Sequence, residues 1–248
     1  ADLRERLAAK VFAHTAAYDA QIAAWLSARG EADGWPRSQA ISLEKAYGLR
    51  YGANPHQRGA FYRERGALPG SLALAESIGG GAKELSFNNL VDADAALEAV
   101  REFEAPAAVV IKHASPCGIA TAASPVTAYQ LAYRTDPTSA FGGVIAFNRA
   151  LDQSSAEAIV GQQFAEVIIA PEVGKAARAA LAKKQAIRVL EAGWPTASSA
   201  AREGNLELKT IEGGLLVQST DDGHVDVAAA KVVTQRQPTT AELRDLKF

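Results

Sequence analysis

Apolar residues at the start of the chain fall at helical spacing: Leu3, Leu7, Val11, Phe12, Tyr18, Ile22, Trp25 and Leu26. That spacing gathers them on one face and predicts a single amphipathic helix over residues 3 to 28. The stretch RGEADGWPRSQ that follows is polar and carries Gly and Pro, so it reads as a linker, with a boundary near residue 40. Beyond it the period changes. AAVVI (107–111), GVIAF (143–147) and EVIIA (166–170) are short apolar runs bounded by Gly, Pro or charge, the pattern of buried strands. Helical patterns lie between them, at about 92–104, 125–134 and 152–163. Strands alternating with helices predict an α/β layered domain. Further on, LELKTI and GLLVQS flank EGG, which predicts a strand pair around a tight turn.

Composition narrows the function classes. The chain has 248 residues, 48% hydrophobic and 22% charged, a globular balance with enough length for a sizeable core. A net charge of −2 argues against bulk electrostatic binding to nucleic acid or an anionic membrane, and leaves room for a local basic pocket. No apolar run is long enough to span a bilayer, and ADLRERLAAKVF lacks the apolar stretch of a signal peptide. The single cysteine allows no intrachain disulfide and favours a reducing compartment. A soluble, cytoplasmic protein is expected. Met is absent, position 1 included, the chain opens inside a helical pattern, and it stops at ELRDLKF without a closing signal. A piece of a longer protein is expected.

Candidate chemistry concentrates where the strand pattern breaks. In VVIKHASPCGIA (109–120) an apolar run ends at Lys112 and His113 and gives way to Ala-Ser-Pro-Cys-Gly, which reads as a turn. Ligands of open α/β sheets bind beyond the carboxyl ends of strands, where this pair would sit. A lysine there can stabilise an oxyanion, and a histidine can take a proton from an attacking amine or hydroxyl. An exposed strand-end lysine beside a hydrogen-bonded structural histidine fits the same spacing. A zinc deaminase would continue to Pro-Cys-x-x-Cys. Here Pro116 and Cys117 are followed by Gly118, Ile119 and Ala120, and no second Cys exists, so zinc is rejected and Cys117 reads as a packed small residue.

Three further stretches are dense in polar residues. LRYGANPHQ (49–57) offers the planar fork of Arg50 for phosphate, the ring and hydroxyl of Tyr51, close approach at Gly52, and His56 and Gln57 as polar tips. A hydrogen-bonded entry loop accounts for the same residues. In TDPTSAFGGVIAFN (135–148), Gly142 and Gly143 precede a strand, where backbone N–H groups could face a ligand. IGGGAKELSFNNLVDADAAL (78–97) offers a Gly-rich turn and then Asn88, Asn89 or Asp92 as helix caps, without the Gly-Lys-Ser/Thr of a P-loop. Glu166, ahead of VIIAP, reads either as an edge charge or as a ligand-facing carboxylate.

Taken in order, LRYGANPHQ, ELSFNNLVDADAAL, VVIKHASPCG, AYRTDPTSAFGGVIAFN and FAEVIIAP resemble one bifunctional purine-biosynthesis family. Its members combine aminoimidazole carboxamide ribonucleotide (AICAR) transformylase with inosine monophosphate (IMP) cyclohydrolase. The resemblance runs from AKVFAHTAAYDAQIAAWL to the C-terminus. It implies a cytidine-deaminase-like α/β layered fold without its zinc, preceded by an N-terminal helix. It implies formyl transfer from the cosubstrate 10-formyltetrahydrofolate to the 5-amino group of AICAR, with no metal required. His113 is then the proton acceptor and Lys112 the transition-state stabiliser, and Arg50, Tyr51, Asn89, His113, Gly142 and Glu166 contact the nucleotide.

By the same resemblance, residues 1–40 hold the last helix of the cyclohydrolase domain with a linker, and 41–248 the N-terminal half of the transformylase domain. The C-terminal half of that domain is then a missing partner, and a homodimer is the expected assembly. Two other readings stay open: a non-catalytic nucleotide-binding or dimerisation fragment, and a deaminase-like metal hydrolase.

Overall fold

The computed structural model of the chain describes residues 2–27, 29, 34–79, 84–195, 206–221, 223 and 225–247. The Gly-rich turn expected after residue 78 lies partly outside them, as does the middle of the expected linker. Residues 34–42 hold no helix or strand. The chain divides into two compact units, Ala1–Thr196 and Ala197–Phe248.

The first apolar pattern forms the helix α1 (Leu3–Ser27), but its stripe stays outside: Ala17 is the buried residue, while Leu7, Phe12 and Trp25 are all more than half exposed. An antiparallel pair, β1 (Leu43–Leu49) and β2 (Gly59–Glu64), follows. The rest of the first unit is built on a six-stranded sheet. Its elements run β3 (Glu76–Gly79), α2 (Phe87–Arg101), β4 (Ala107–Lys112), β5 (Ser115–Thr121), α3 (Pro125–Thr135), α4 (Pro137–Ala140), β6 (Val144–Phe147), α5 (Gln153–Gln162), β7 (Val167–Ala170), α6 (Lys175–Leu181) and β8 (Arg188–Glu191). Strand order is β3-β8-β7-β6-β4-β5. β6, β7 and β8 are mutually parallel, and β3, β4 and β5 run antiparallel to their neighbours. The α/β layered architecture is therefore as expected, with a mixed sheet.

The apolar runs are continuous because the central strands are covered on both sides. Alternate residues divide between two cores. Ala108, Val110, Ile145, Phe147 and Ile168 pack with Tyr129 of α3, Ile159 of α5 and Ala177 of α6. Val109, Ile111, Val144, Ala146, Val167 and Ile169 pack with Ala93, Leu97 and Val100 of α2. Each fully buried Val or Ile contributes about 1.5–3 kcal/mol, so the layers select this arrangement over looser ones.

Two local readings are corrected. Helix α2 begins at Phe87, five residues before the expected 92. Ser86 is its N-cap and Asn89 its third residue, each accepting a backbone N–H of the other in a capping box, so Asn89 serves the cap without being it. Ala-Ser-Pro-Cys-Gly is mostly strand: β5 starts at Ser115, directly paired with Lys112. Pro116 is tolerated because β5 is the sheet edge, where a missing N–H breaks no ladder. Ile111 pairs with Pro116 and Val110 with Gly118, so Cys117 is the extra residue of a β-bulge. In the second unit, β9 (Leu206–Ile211) and β10 (Gly214–Ser219) form the expected hairpin, turning at Glu212 and Gly213, the latter at φ +75°. A short helix, α7 (Thr240–Asp245), follows with its own capping box from Thr239 and Glu242.

Gly118 seats β5 on α3: a β-carbon there would lie 2.0 Å from the carbonyl oxygen of Ala132. Gly118→Ala should cost about 3 kcal/mol, read as a lower urea midpoint with an unchanged slope. Tyr129 is fully buried, its hydroxyl accepting from Gln163 Nε2 at 3.1 Å, and burial pushes its phenol up to about 12. A folded value above the ordinary 10.0 means that this stabilisation is complete below pH 10 and lost as pH rises through about 12. Tyr129→Phe should therefore flatten the alkaline limb of a stability–pH curve. It should also lower neutral stability by about 1 kcal/mol, because Gln163 loses its acceptor.

Candidate active site

Five residues of β4 are buried, and the strand then delivers Lys112, half-buried, and His113, exposed, beyond the core. Lys112 Nζ donates to the Phe141 carbonyl at 3.0 Å. Because Lys112 pairs with Ser115, His113 and Ala114 alone make the crossing, with φ +54° and +56°. Both values lie in the left-handed region that a type I′ hairpin turn requires. Among the described residues the His113 imidazole has no hydrogen-bond or ion-pair partner.

The edge on which this turn sits differs from the one expected. His113 does lie at the carboxyl end of β4. However, β4 opposes β6, with Ile111 beside Val144, so the same edge is the amino end of β6, β7 and β8. The rule for parallel sheets therefore does not locate this site. The inverted strand does, by carrying Lys112 and His113 to the residues that precede the parallel strands.

Those residues are Gly142 and Glu166. Gly142 has φ +77°, where glycine alone is unstrained. Its N–H donates to the Phe164 carbonyl at 2.8 Å, and the Gly143 N–H to the Ala140 carbonyl at 3.0 Å. The expectation that these N–H groups face a ligand is thus corrected: both are used internally, and Gly142 offers the space of an absent side chain. Glu166 Oε2 accepts from Arg188 Nη1 at 2.6 Å. The Arg188 side chain is only 7% exposed and also donates to the carbonyls of Glu84 and Glu166.

The third wall comes from α2 and the loop after β1. The Ser86–Asn89 box fixes the start of α2, and the loop is laced to it: Arg50 N donates to Leu85 O, Phe87 N to Tyr51 O, and Asn88 Nδ2 to Ala53 O. Gln57 closes the loop on Gly52 and Asn54, so it is structural. Arg50 lies 5.4 Å from the Tyr51 ring centre, a cation–π contact that leaves its N–H fork available.

One pocket of about 220 Å³ collects these groups. Arg50, Tyr51, Asn89, Lys112, His113, Gly142 and Glu166, the seven positions that the family resemblance implies, line it, whereas Gly52, His56, Gln57 and Gly143 do not. Ser86, Asn88, Asp92 and Arg188 line it too. The sequence pattern offers Asp92 only as a helix cap and does not single out Arg188. The signal for Arg188 was a charge leading an apolar run, IRVLE, as Glu166 leads VIIA. Three cations (Arg50, Lys112, Arg188) face two carboxylates (Asp92, Glu166), leaving an excess of one positive charge with His113 neutral. Such a pocket favours an anion.

Cys117 does not line the pocket, and burial, with Asp136 and Asp92 adding to it, pushes its thiol up, away from a nucleophilic thiolate. Among the described residues no group of three His, Cys, Asp or Glu side chains could hold a metal ion, and no helix is long and apolar enough to cross a membrane.

Comparison with known proteins adds two findings. The family model described as AICARFT/IMPCHase bienzyme matches residues 1–248. The chain is also 50% identical, over 252 aligned residues, to the "Bifunctional purine biosynthesis protein PurH" of Sorangium cellulosum (strain So ce56). That match covers 98% of the chain and 48% of the relative, so the chain spans about half the length of the relative.

The Arg188–Glu166 pair predicts an asymmetry. Arg188→Met removes the buried donor from Glu166 and two carbonyls, and should cost about 3 kcal/mol in urea unfolding. Glu166→Gln keeps an acceptor for the guanidinium and should cost only about 1 kcal/mol.

Proposed function

The chain belongs to the AICARFT/IMPCHase bienzyme family, and we propose that it carries the nucleotide-binding and proton-accepting part of the formyl-transfer site. The reaction is formyl transfer from 10-formyltetrahydrofolate to the 5-amino group of AICAR. The observation that carries the reading is the convergence of seven residues from five separate segments on one pocket with a positive excess.

In this reading Arg50 takes the 5′-phosphate through its planar fork, and Tyr51 gives an aromatic face and a hydroxyl to the nucleotide. Glu166, held by Arg188, accepts from ligand hydroxyls or amides, and Gly142 admits the ligand where any side chain would obstruct it. The 5-amino group is a weak nucleophile, because the carboxamide-bearing ring withdraws its lone pair. It attacks the formyl carbon as the His113 imidazole takes an N–H proton. The oxygen of the tetrahedral intermediate gains negative charge beside the Lys112 ammonium. The bond from the formyl carbon to N10 of the folate then breaks, and a proton completes N10. Formyl-AICAR and tetrahydrofolate leave. In a full-length bienzyme, ring closure to IMP would follow.

We place this chemistry in the cytoplasm and in a homodimer, with folate as a cosubstrate and without a required metal. The C-terminal half of the transformylase domain is the proposed partner of this segment.

Calorimetric titration of AICAR into the chain, with a formyl-transfer assay alongside, tests the reading. AICAR binding by the chain is the expected result, with formyl transfer, measured with the C-terminal half of the transformylase domain present, reduced about 10²–10⁴-fold by His113→Ala. Binding that His113→Ala leaves intact, without turnover by the wild-type chain even when that C-terminal half is present, would instead make the segment a nucleotide-binding module. No binding at all would sink the reading.

A further inference from the structure

His113 owes its position to a strained turn, and one side chain from another element holds that turn. Two-residue hairpins with both central φ values positive usually use Asn-Gly or Asp-Gly, because a β-carbon is disfavoured in that conformation. Here the two residues are His113 and Ala114, at φ +54° and +56°. The N–H of Ala114 donates to Asp92 Oδ1 at 2.7 Å, a bond strengthened by the carboxylate charge.

Helix α2 gives no reason for an aspartate at this place. Asp92 lies in its second turn, past the first-turn positions where a carboxylate complements the macrodipole, and Asp is a weak helix former. Nor does strand pairing require it. The β4–β5 ladder runs from Ala107↔Thr121 to Lys112↔Ser115 without help from α2. What Asp92 does reach is the turn, through the Ala114 N–H. The imidazole has no partner of its own among the described residues, so its direction follows from the backbone beneath it.

We propose that Asp92 is a positioning residue: by accepting the Ala114 N–H it fixes the left-handed turn, and with it the direction in which His113 presents its imidazole to the pocket. This rests on the reading of His113 as the proton acceptor. Asp92 also lines the pocket, so the tether runs along its wall.

The test is isotope-resolved NMR of the chain with calorimetric AICAR titrations. In the wild type, the Ala114 amide should be protected from exchange, and AICAR should shift the His113 ring resonances. In Asp92→Ala, that amide should exchange about tenfold faster or more, as expected for a lost hydrogen bond. The His113 response should disappear, while AICAR affinity stays within about threefold, because Arg50, Lys112 and Glu166 remain. In formyl transfer, measured with the C-terminal half of the transformylase domain present, kcat should fall about 10²-fold, with KM within about threefold. Asp92→Asn keeps an oxygen acceptor and should retain the protection and most of the response.

Asp92→Leu, similar in size and without an acceptor, replaces Asp92→Ala should that variant not fold. A variant without an acceptor whose Ala114 amide and His113 response match the wild type overturns the proposal, while wild-type AICAR binding leaves the site reading standing. A wild-type chain that does not bind AICAR, or whose His113 resonances ignore it, overturns the site reading and this proposal with it.

Discussion

The burial of β4 on both faces is the constraint on which the site depends. Ala108 and Val110 belong to one core, and Val109 and Ile111 to the other. A slip of one residue would exchange the two sets and drive Lys112 into an apolar layer, so the register has one acceptable value. That register puts the first polar residues after the strand at the edge of the sheet. Lys112 finds the Phe141 carbonyl there, and His113 begins the turn.

Inversion of β4 against the parallel trio converts this constraint into a site. In a purely parallel sheet the carboxyl end of one strand lies beside the carboxyl ends of its neighbours, and loops of the same kind converge. Here the carboxyl end of β4 meets the amino ends of β6, β7 and β8, where Gly142, Glu166 and Arg188 stand. The buried Arg188 does two tasks at once: it satisfies two backbone carbonyls, and it holds the one carboxylate that precedes β7. A charge so little exposed is tolerable because Nε and Nη1 meet acceptors, a carboxylate among them. The pocket therefore inherits a rigid floor from the sheet and a rigid wall from the capped start of α2.

The loop after β1 is polar without being soft. The Gln57 closure, the Asn88 tie to Ala53 and the reciprocal Ser86–Asn89 cap leave Arg50 and Tyr51 little freedom in backbone position, although Arg50 itself is exposed. A charged fork on a fixed backbone loses little entropy when it meets an anion. The structural and the functional readings of LRYGANPHQ are therefore compatible: a hydrogen-bonded loop places Arg50 in the pocket lining.

The sequence by itself determined the layered α/β class, the central strands, the helices from Pro125 and Gln153, and the β9–β10 hairpin. These elements rest on local periodicity, and their cores reinforce it. The break after VVI marked Lys112 and His113, and the family resemblance supplied the other five residues that share their pocket. Tertiary structure alone decided the rest. Ser-Pro-Cys-Gly becomes a strand only because an edge position excuses Pro116 and a bulge absorbs Cys117. The start of α2 at Phe87 depends on a reciprocal cap that a scan for a single capping residue misplaces. Asp92 and Arg188 declare themselves only through partners 22 residues away in each case, Ala114 and Glu166. Which edge of the sheet carries the pocket was hidden for the same reason: strand direction is a property of how distant segments pair, and no local pattern records it.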